Sequence, residues 1–128
     1  MSRDRRRLIE YLGHMLEAVK QVELYVAGME ESEFLRNRLV QDGVIRNIEI
    51  VGEASRNIER HYPEYARANP DVPFAAAYEM RNALAHGYFK VDLQAVWLTV
   101  KRDLPAIAAQ ITPLLAALRQ QEGAEPTG

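Results

Sequence analysis

The stretch Arg81-Asn-Ala-Leu-Ala-His-Gly-Tyr88 brings guanidinium, amide, imidazole and phenol groups together in a chain that is otherwise patterned as amphipathic helix. The residues just before it, Phe74–Met80, include several small, helix-forming residues and predict a helix that leads into the stretch. Gly87 can adopt positive φ and is a natural helix terminator. The sequence therefore predicts a helix from Phe74 to His86 that carries most of these polar groups.

The spacing within this stretch limits how its two cationic candidates can cooperate. At about 100° per residue, Asn82 and His86 share one helix face, whereas Arg81 lies roughly 140° from His86 around the axis. Either the long arginine side chain wraps around the helix, or a second copy of the chain supplies the other cation. A two-fold dimer with this face at its interface would provide that copy.

The composition is that of one globular domain. The chain has 128 residues, of which 48% are apolar and 27% charged. It contains no cysteine, and its three histidines lack metal-site spacing, so we expect no metal site and no cofactor. The formal net charge of -2 restricts any nucleic-acid contact to a local cationic cleft. No apolar run is long enough to cross a bilayer and no signal-type segment is recognisable, so we expect a cytoplasmic protein.

Apolar residues recur at steps of three and four along most of the chain and predict amphipathic helices. There is no β-rich run and no internal repeat, so we expect an all-α, bundle-like fold over residues 1–119, followed by a disordered tail over residues 120–128. Asp92 is the predicted N-cap of the last helix, and Pro105 predicts an interruption near Asp103. Before that last helix, the pattern predicts helices over roughly 5–26, 32–61 and 74–86.

The predicted second helix has a polar face that can serve the motif. Arg46 and Glu53 stand at helical spacing opposite its apolar residues. We therefore predict Asn82, Glu53 and Arg46 as supporting residues; Glu53, if it faces Arg81, holds the guanidinium in place. Gly52 inside this helix costs roughly 1 kcal/mol relative to alanine, which close approach of the helix carrying the motif would explain.

His86 is the candidate for proton transfer because histidine is the side chain that ordinarily titrates near neutrality. Arg81 is a permanent cation with a planar donor fork that suits phosphate. The pair suits cleavage of RNA through its own 2′-hydroxyl, with the guanidinium stabilising charge on the phosphate oxygens and no metal required. The residues alone leave another interpretation open, in which Arg81 pairs with Glu49 or Glu53 and His86 only caps a helix. Tyr88 can stack on a base, can be modified, or can be an ordinary residue at a helix–turn boundary.

The combined pattern resembles a known family. Arg81-x4-His86-x-Tyr88 matches the R-x4-H-x-Y signature of the HEPN superfamily of helical ribonucleases. The surrounding residues narrow the resemblance to the HepT-like toxins and extend it over nearly the whole chain. They are Arg46-Asn47, Gly52-Glu53, His86-Gly87-Tyr88 and Val91-Asp92 with Trp97.

This resemblance implies properties that the spacing does not show. It implies an up-and-down helical bundle that forms a two-fold dimer, with both R-x4-H motifs facing one shared cleft. It implies a metal-independent endoribonuclease toxin of a type VII toxin–antitoxin system, in which Arg81 and His86 are catalytic. The implied partner is a minimal nucleotidyltransferase (MntA-like) antitoxin that neutralises the toxin by transferring AMP to Tyr88. The alternative is a non-catalytic helical module that binds a nucleotidyltransferase, with Arg81 and His86 holding ATP or the partner.

Overall fold

The chain is helical throughout the part that the structure describes. The computed structural model describes residues 2–86 and 91–124, with side chains over residues 5–80 and 91–123. Within these ranges every regular element is a helix, which confirms the predicted all-α class and is compatible with a helical bundle. None of the helices described is long and apolar enough to cross a membrane. The elements are α1 (Ser2–Val26), α2 (Glu31–Phe34), α3 (Arg38–His61), α4 (Pro63–Ala68), α5 (Phe74–His86), α6 (Leu93–Leu98), a π-helical segment (Thr99–Asp103) and α7 (Leu104–Ala124).

Helix α3 occupies the centre of the bundle, because it packs against both α1 and α5. Helix α1 packs in turn against α7. Their apolar faces meet in one continuous core, whose burial is the main source of stability. The large side chains that are fully buried there include Leu12, Met15, Val19, Val22, Phe34, Val44, Ile48, Val51, Ile58, Leu104 and Ile111.

The prediction of one helix over about residues 32–61 is wrong at its N-terminal end, where the structure has two helices. Helix α2 ends at Phe34, and α3 begins anew at Arg38. The side-chain oxygen of Asn37 accepts the backbone N–H of Val40 at 3.0 Å. This N-cap satisfies a donor that a continuous helix would have bonded internally, so it starts α3 at that point.

Burial of an aromatic ring explains why the short helix α2 stays attached to the bundle. Phe34 is completely buried, with its ring centroid 5.2 Å from that of Trp97. The buried side chain of Gln41 donates a hydrogen bond to the Phe34 carbonyl at 2.9 Å. The turn between α2 and α3 therefore places the Phe34 ring in the core, and the Gln41 side chain supplies a hydrogen bond to the Phe34 carbonyl.

The predicted interruption near Asp103 is present, but the chain stays helical through it. Residues Thr99–Asp103 form a π-helical segment, and the Leu104 N–H donates to the Thr99 carbonyl, one residue further back than in an α-helix. Pro105, which has no N–H to donate, follows immediately. The wider turn thus absorbs the proline without ending the helix.

Helix α7 continues to Ala124, past the predicted start of the disordered tail at residue 120. The Arg6 guanidinium lies 3.2 Å from the Glu122 carboxylate and ties this last part of the helix to α1. The final residues of the predicted tail, 125–128, lie outside the described residues. The domain boundary at residue 119 stays a prediction.

Asp92 caps α6 as predicted, since its carboxylate accepts the backbone N–H groups of Gln94 and Ala95, both at 3.1 Å. We expect Asp92→Ala to lower the free energy of unfolding by about 1 kcal/mol, because two helical donors lose their partner. Asp92→Asn should retain most of the stability, because its amide oxygen can still cap. Urea unfolding of the three proteins checks this, and an unchanged midpoint for Asp92→Ala would show that the cap contributes nothing.

Candidate functional site

The polar motif lies on the C-terminal half of α5. This helix spans Phe74–His86, as the sequence predicted, and therefore includes Arg81, Asn82 and His86. Asn82 and His86, four residues apart, share a face, while Arg81 is roughly 140° from His86 around the helix axis. The side chains of these three residues, and the whole of Tyr88, lie outside the described residues. The roles of these four residues therefore stay predictions, and the structure bears on them only through the position of α5.

A cation–π contact defines how α5 lies on α3. The guanidinium carbon of Arg56 is 5.2 Å from the centroid of the Tyr78 ring. Helix α5 packs against α3, and this contact places Tyr78 beside the C-terminal half of α3.

Residues 48–53 of α3 contain the glycine and the carboxylates that the sequence singled out. Gly52 is buried, as expected where a second helix comes close and a side chain would stand between the backbones. Glu49 is half-buried and Glu53 exposed. An ion pair between Arg81 and either of these carboxylates stays a prediction.

A polar groove runs between α1 and α3 and reaches this segment. It encloses about 580 Å³. Arg46, Glu49 and Glu53 line it from α3, and Tyr11 and His14 line it from α1. Two of the predicted supporting residues, Arg46 and Glu53, are thus brought to one groove. The side chain of the third, Asn82, is not described.

Sequence reasoning did not connect Tyr11 or His14 with a site. His14 is exposed and lines the groove opposite the polar side of α3. No spacing within α1 distinguishes it, because its neighbours in the groove belong to another helix. The amphipathic patterns of α1 and α3 would reveal this relation only if their packing register were already known.

The charges of the α1/α3 groove are unfavourable for a polyanion. One cation, Arg46, is set against the two carboxylates Glu49 and Glu53, which gives the lining a formal charge of -1. A phosphate backbone that entered this groove would need cations from elsewhere. Arg81 on α5 is one candidate, and a second copy of the chain could supply another.

Comparisons with known proteins show the family to which the chain belongs. A family model described as ribonuclease HepT-like matches residues 15–114. A probable ribonuclease HepT of Thermococcus cleftensis is 35% identical over 105 residues, which cover 82% of this chain and 93% of that protein. A putative RNase of Methanocaldococcus jannaschii is 35% identical over 101 residues, which cover 79% of this chain and 90% of that one.

One relative is considerably longer. A gamma-glutamylcyclotransferase and putative RNase of Methanocaldococcus jannaschii is 38% identical over 108 residues, 84% of this chain but only 47% of the relative, so the chain spans about half the length of that protein. No solved structure matches. The family match nevertheless includes α3, α5 and the whole motif from Arg81 to Tyr88, and it covers most of the described bundle. The chain belongs to the HepT-like ribonuclease family.

Proposed function

We propose that the chain is a metal-independent endoribonuclease toxin of a type VII toxin–antitoxin system, acting in the cytoplasm. The observation that carries this proposal is an R-x4-H-x-Y motif, Arg81 to Tyr88, in a chain of a ribonuclease family. The motif begins on α5, which packs against α3. Arg81 and His86 are the proposed catalytic residues, and Glu53, Arg46 and Asn82 support them.

The proposed reaction uses the substrate's own hydroxyl group. The His86 imidazole takes the proton of the 2′-hydroxyl, and the 2′-oxygen attacks the adjacent phosphorus while the bond to the 5′-oxygen breaks. The departing 5′-oxygen takes up a proton from imidazolium or water. Arg81 stabilises the negative charge that grows on the other phosphate oxygens. The products are a 2′,3′-cyclic phosphate end and a 5′-hydroxyl end.

The active form in this proposal is a two-fold dimer. On one helix, Arg81 and His86 point roughly 140° apart, whereas two copies of α5 across a dimer axis can direct the Arg81 of one chain and the His86 of the other into one cleft. The second copy would also add cations to a groove whose lining has a formal charge of -1. Light scattering should give twice the mass of the 14.6 kDa chain, and the mass of a single chain would contradict the shared cleft.

The proposed partner is a nucleotidyltransferase antitoxin that transfers AMP to Tyr88. We expect Tyr88→Phe to remain toxic and to escape neutralisation, because the ring is kept but the acceptor hydroxyl is lost. Intact-mass analysis after coexpression with the antitoxin should show added AMP on the unsubstituted chain and none on Tyr88→Phe. Tyr25→Phe, at a tyrosine that is 41% exposed on α1, is the matched control and should still be modified. Full modification of Tyr88→Phe would assign the acceptor to another residue.

The proposal is tested by incubating the purified, unmodified protein with mixed RNA in EDTA and analysing the new ends. We expect cleavage that leaves 2′,3′-cyclic phosphate, because no step needs a metal ion. Cleavage that EDTA abolishes would contradict metal independence. Absence of cleavage, together with tight binding of the nucleotidyltransferase, would contradict the nuclease and favour a non-catalytic binding module.

A further inference from the structure

A second groove, which the proposed active site does not use, lies at the end of the bundle where α3 meets α4. We call it the α4 groove. It encloses about 790 Å³ and is lined by Arg5 of α1, by His61 at the end of α3, and by Tyr62, Tyr65 and Arg67 at and within α4. The start of α1 and residues 61–67, which are distant in sequence, thus bring cations and aromatic rings to one place.

The charges of the α4 groove favour an anion. Arg5 and Arg67 are set against a single carboxylate, Glu64, so the lining has a formal charge of +1 before His61 is considered. The α1/α3 groove has the opposite sign. Another carboxylate near the α4 groove, Glu122, is already paired with the Arg6 guanidinium at 3.2 Å. Local cations therefore exceed local carboxylates on a chain whose overall formal charge is -2.

Arg67 is the cation of this groove best placed to bind a ligand. It is exposed, and it forms no ion pair with any other residue that the structure describes. Its guanidinium can therefore approach a phosphate without first giving up a carboxylate partner. An arginine in such a position offers several donors in a planar fork that matches phosphate oxygens.

The two tyrosines of the α4 groove have different surroundings. The Tyr62 ring packs edge-on against Tyr11, with ring centroids 6.4 Å apart, and forms part of the wall of the groove. Tyr65 is half-buried, and burial raises the pKa of its phenol, so the hydroxyl stays protonated and can donate a hydrogen bond. A ring held in this way beside cations is the arrangement on which single-stranded nucleic acids stack their bases.

We propose that the α4 groove is an accessory binding site for single-stranded RNA, in which Arg67 and Arg5 contact backbone phosphates and Tyr65 stacks on a base. The identity of this RNA as substrate rests on the proposed function. Helix α5, which carries the start of the motif, follows α4 in the chain, and the rise along it from Phe74 to Arg81 is roughly 10 Å. A strand that extended from the groove along α5 would place in the groove a part of the substrate that flanks the cleaved bond.

RNA suits this groove better than an acidic protein segment does. An acidic peptide would form ion pairs with the cations of the groove and would not need its aromatic rings. The bases of an RNA strand, in contrast, can stack on those rings. The two ligands predict different effects for Tyr65. Loss of the Tyr65 ring should weaken the binding of RNA strongly. It should have little effect on the binding of an acidic segment that pairs with Arg5 and Arg67.

The test measures binding apart from cleavage. The probe is fluorescent single-stranded RNA carrying 2′-O-methyl groups, which has no 2′-hydroxyl to attack, and the readout is anisotropy over a range of salt concentrations. We expect Arg67→Gln to reduce the dependence of log affinity on log salt by about 0.7, the value for one phosphate contact on a single strand. Tyr65→Leu should weaken binding by about tenfold, within the range of one lost stacking contact, and Tyr65→Phe should keep most of the affinity.

Arg36→Gln is the matched control for Arg67→Gln. Arg36 is an exposed arginine in the turn between α2 and α3, away from the groove, and its substitution removes the same charge. The control should leave both affinity and salt dependence unchanged, and thermal unfolding should show that all variants are folded. Equal losses for Arg36→Gln and Arg67→Gln would overturn the site, because they would reflect net charge alone.

The remaining outcomes separate this inference from the proposed function. If wild type binds the methylated RNA through Arg67 but cleaves no RNA, the accessory binding site is supported and the proposed nuclease activity is contradicted. If wild type cleaves RNA but Arg67→Gln and Tyr65→Leu bind the probe like wild type, the accessory binding site is contradicted and the nuclease activity is not. If Arg67→Gln weakens only the complex with the nucleotidyltransferase, the groove is a protein-binding site and the RNA proposal is overturned.

Discussion

We expect His86→Ala to abolish both RNA cleavage and growth arrest. Loss of a positioned general base typically costs about 10²–10⁴ in rate, and no other histidine lies on α5. A toxin slowed by that factor should no longer arrest cells at the expression level at which wild type does. Cleavage of a labelled RNA under single-turnover conditions measures the loss directly, and colony counts after induction measure its consequence.

A folding defect must be distinguished from lost chemistry in this experiment. His86 lies in the last turn of α5, where a cation interacts favourably with the helix dipole, so its removal should cost at most about 1 kcal/mol of stability. The variant should therefore be folded at growth temperature. Arg36→Gln, exposed and outside the motif, should keep full toxicity. If His86→Ala remained as toxic as wild type, the assignment of the proton transfer to this residue would be wrong.

We expect Phe34→Ala to lower the free energy of unfolding by about 3–5 kcal/mol. The side chain is completely buried and packs against Trp97 with ring centroids 5.2 Å apart, so its truncation leaves a cavity between α2 and α6. A loss of this size is a large fraction of the total stability of a small domain. Urea unfolding monitored by helical circular dichroism gives the value.

The matched control for this prediction lies close by in the chain. Leu39, in the first turn of α3, is 84% exposed, and Leu39→Ala should change the free energy of unfolding by no more than about 0.5 kcal/mol. The contrast between the two variants tests whether α2 is part of the core. Equal, small effects would show that α2 is not anchored by Phe34 and that the division of the predicted long helix has no structural importance.

The features that the sequence predicted well are those encoded by neighbouring residues. The bounds of α5 follow from the helix-forming residues after Phe74 and from the glycine that follows His86. The cap of α6 follows from Asp92, whose short side chain can reach only the first N–H groups of the next turn. The motif is likewise local, because helical spacing alone places Asn82 and His86 on one face.

The features that were missed depend on tertiary contacts. Phe34 and Leu35 continue the apolar pattern of α3, so the pattern gave no sign that Phe34 turns towards Trp97 and that Asn37 starts a new helix. The two grooves were not predicted for the same reason. Arg67 joins Arg5 at the α4 groove only because the N-terminus of α1 lies at the end of the bundle where α4 follows α3.

In the proposed dimer, Arg81 of one chain and His86 of the other form one ribonuclease site. The most direct test is a heterodimer that pairs an Arg81→Gln chain with a His86→Ala chain, purified through two different tags. Each homodimer should be inactive, whereas the heterodimer has one intact arginine and one intact histidine on opposite chains and should recover cleavage. A folded heterodimer that stays as inactive as its parents would contradict the shared site.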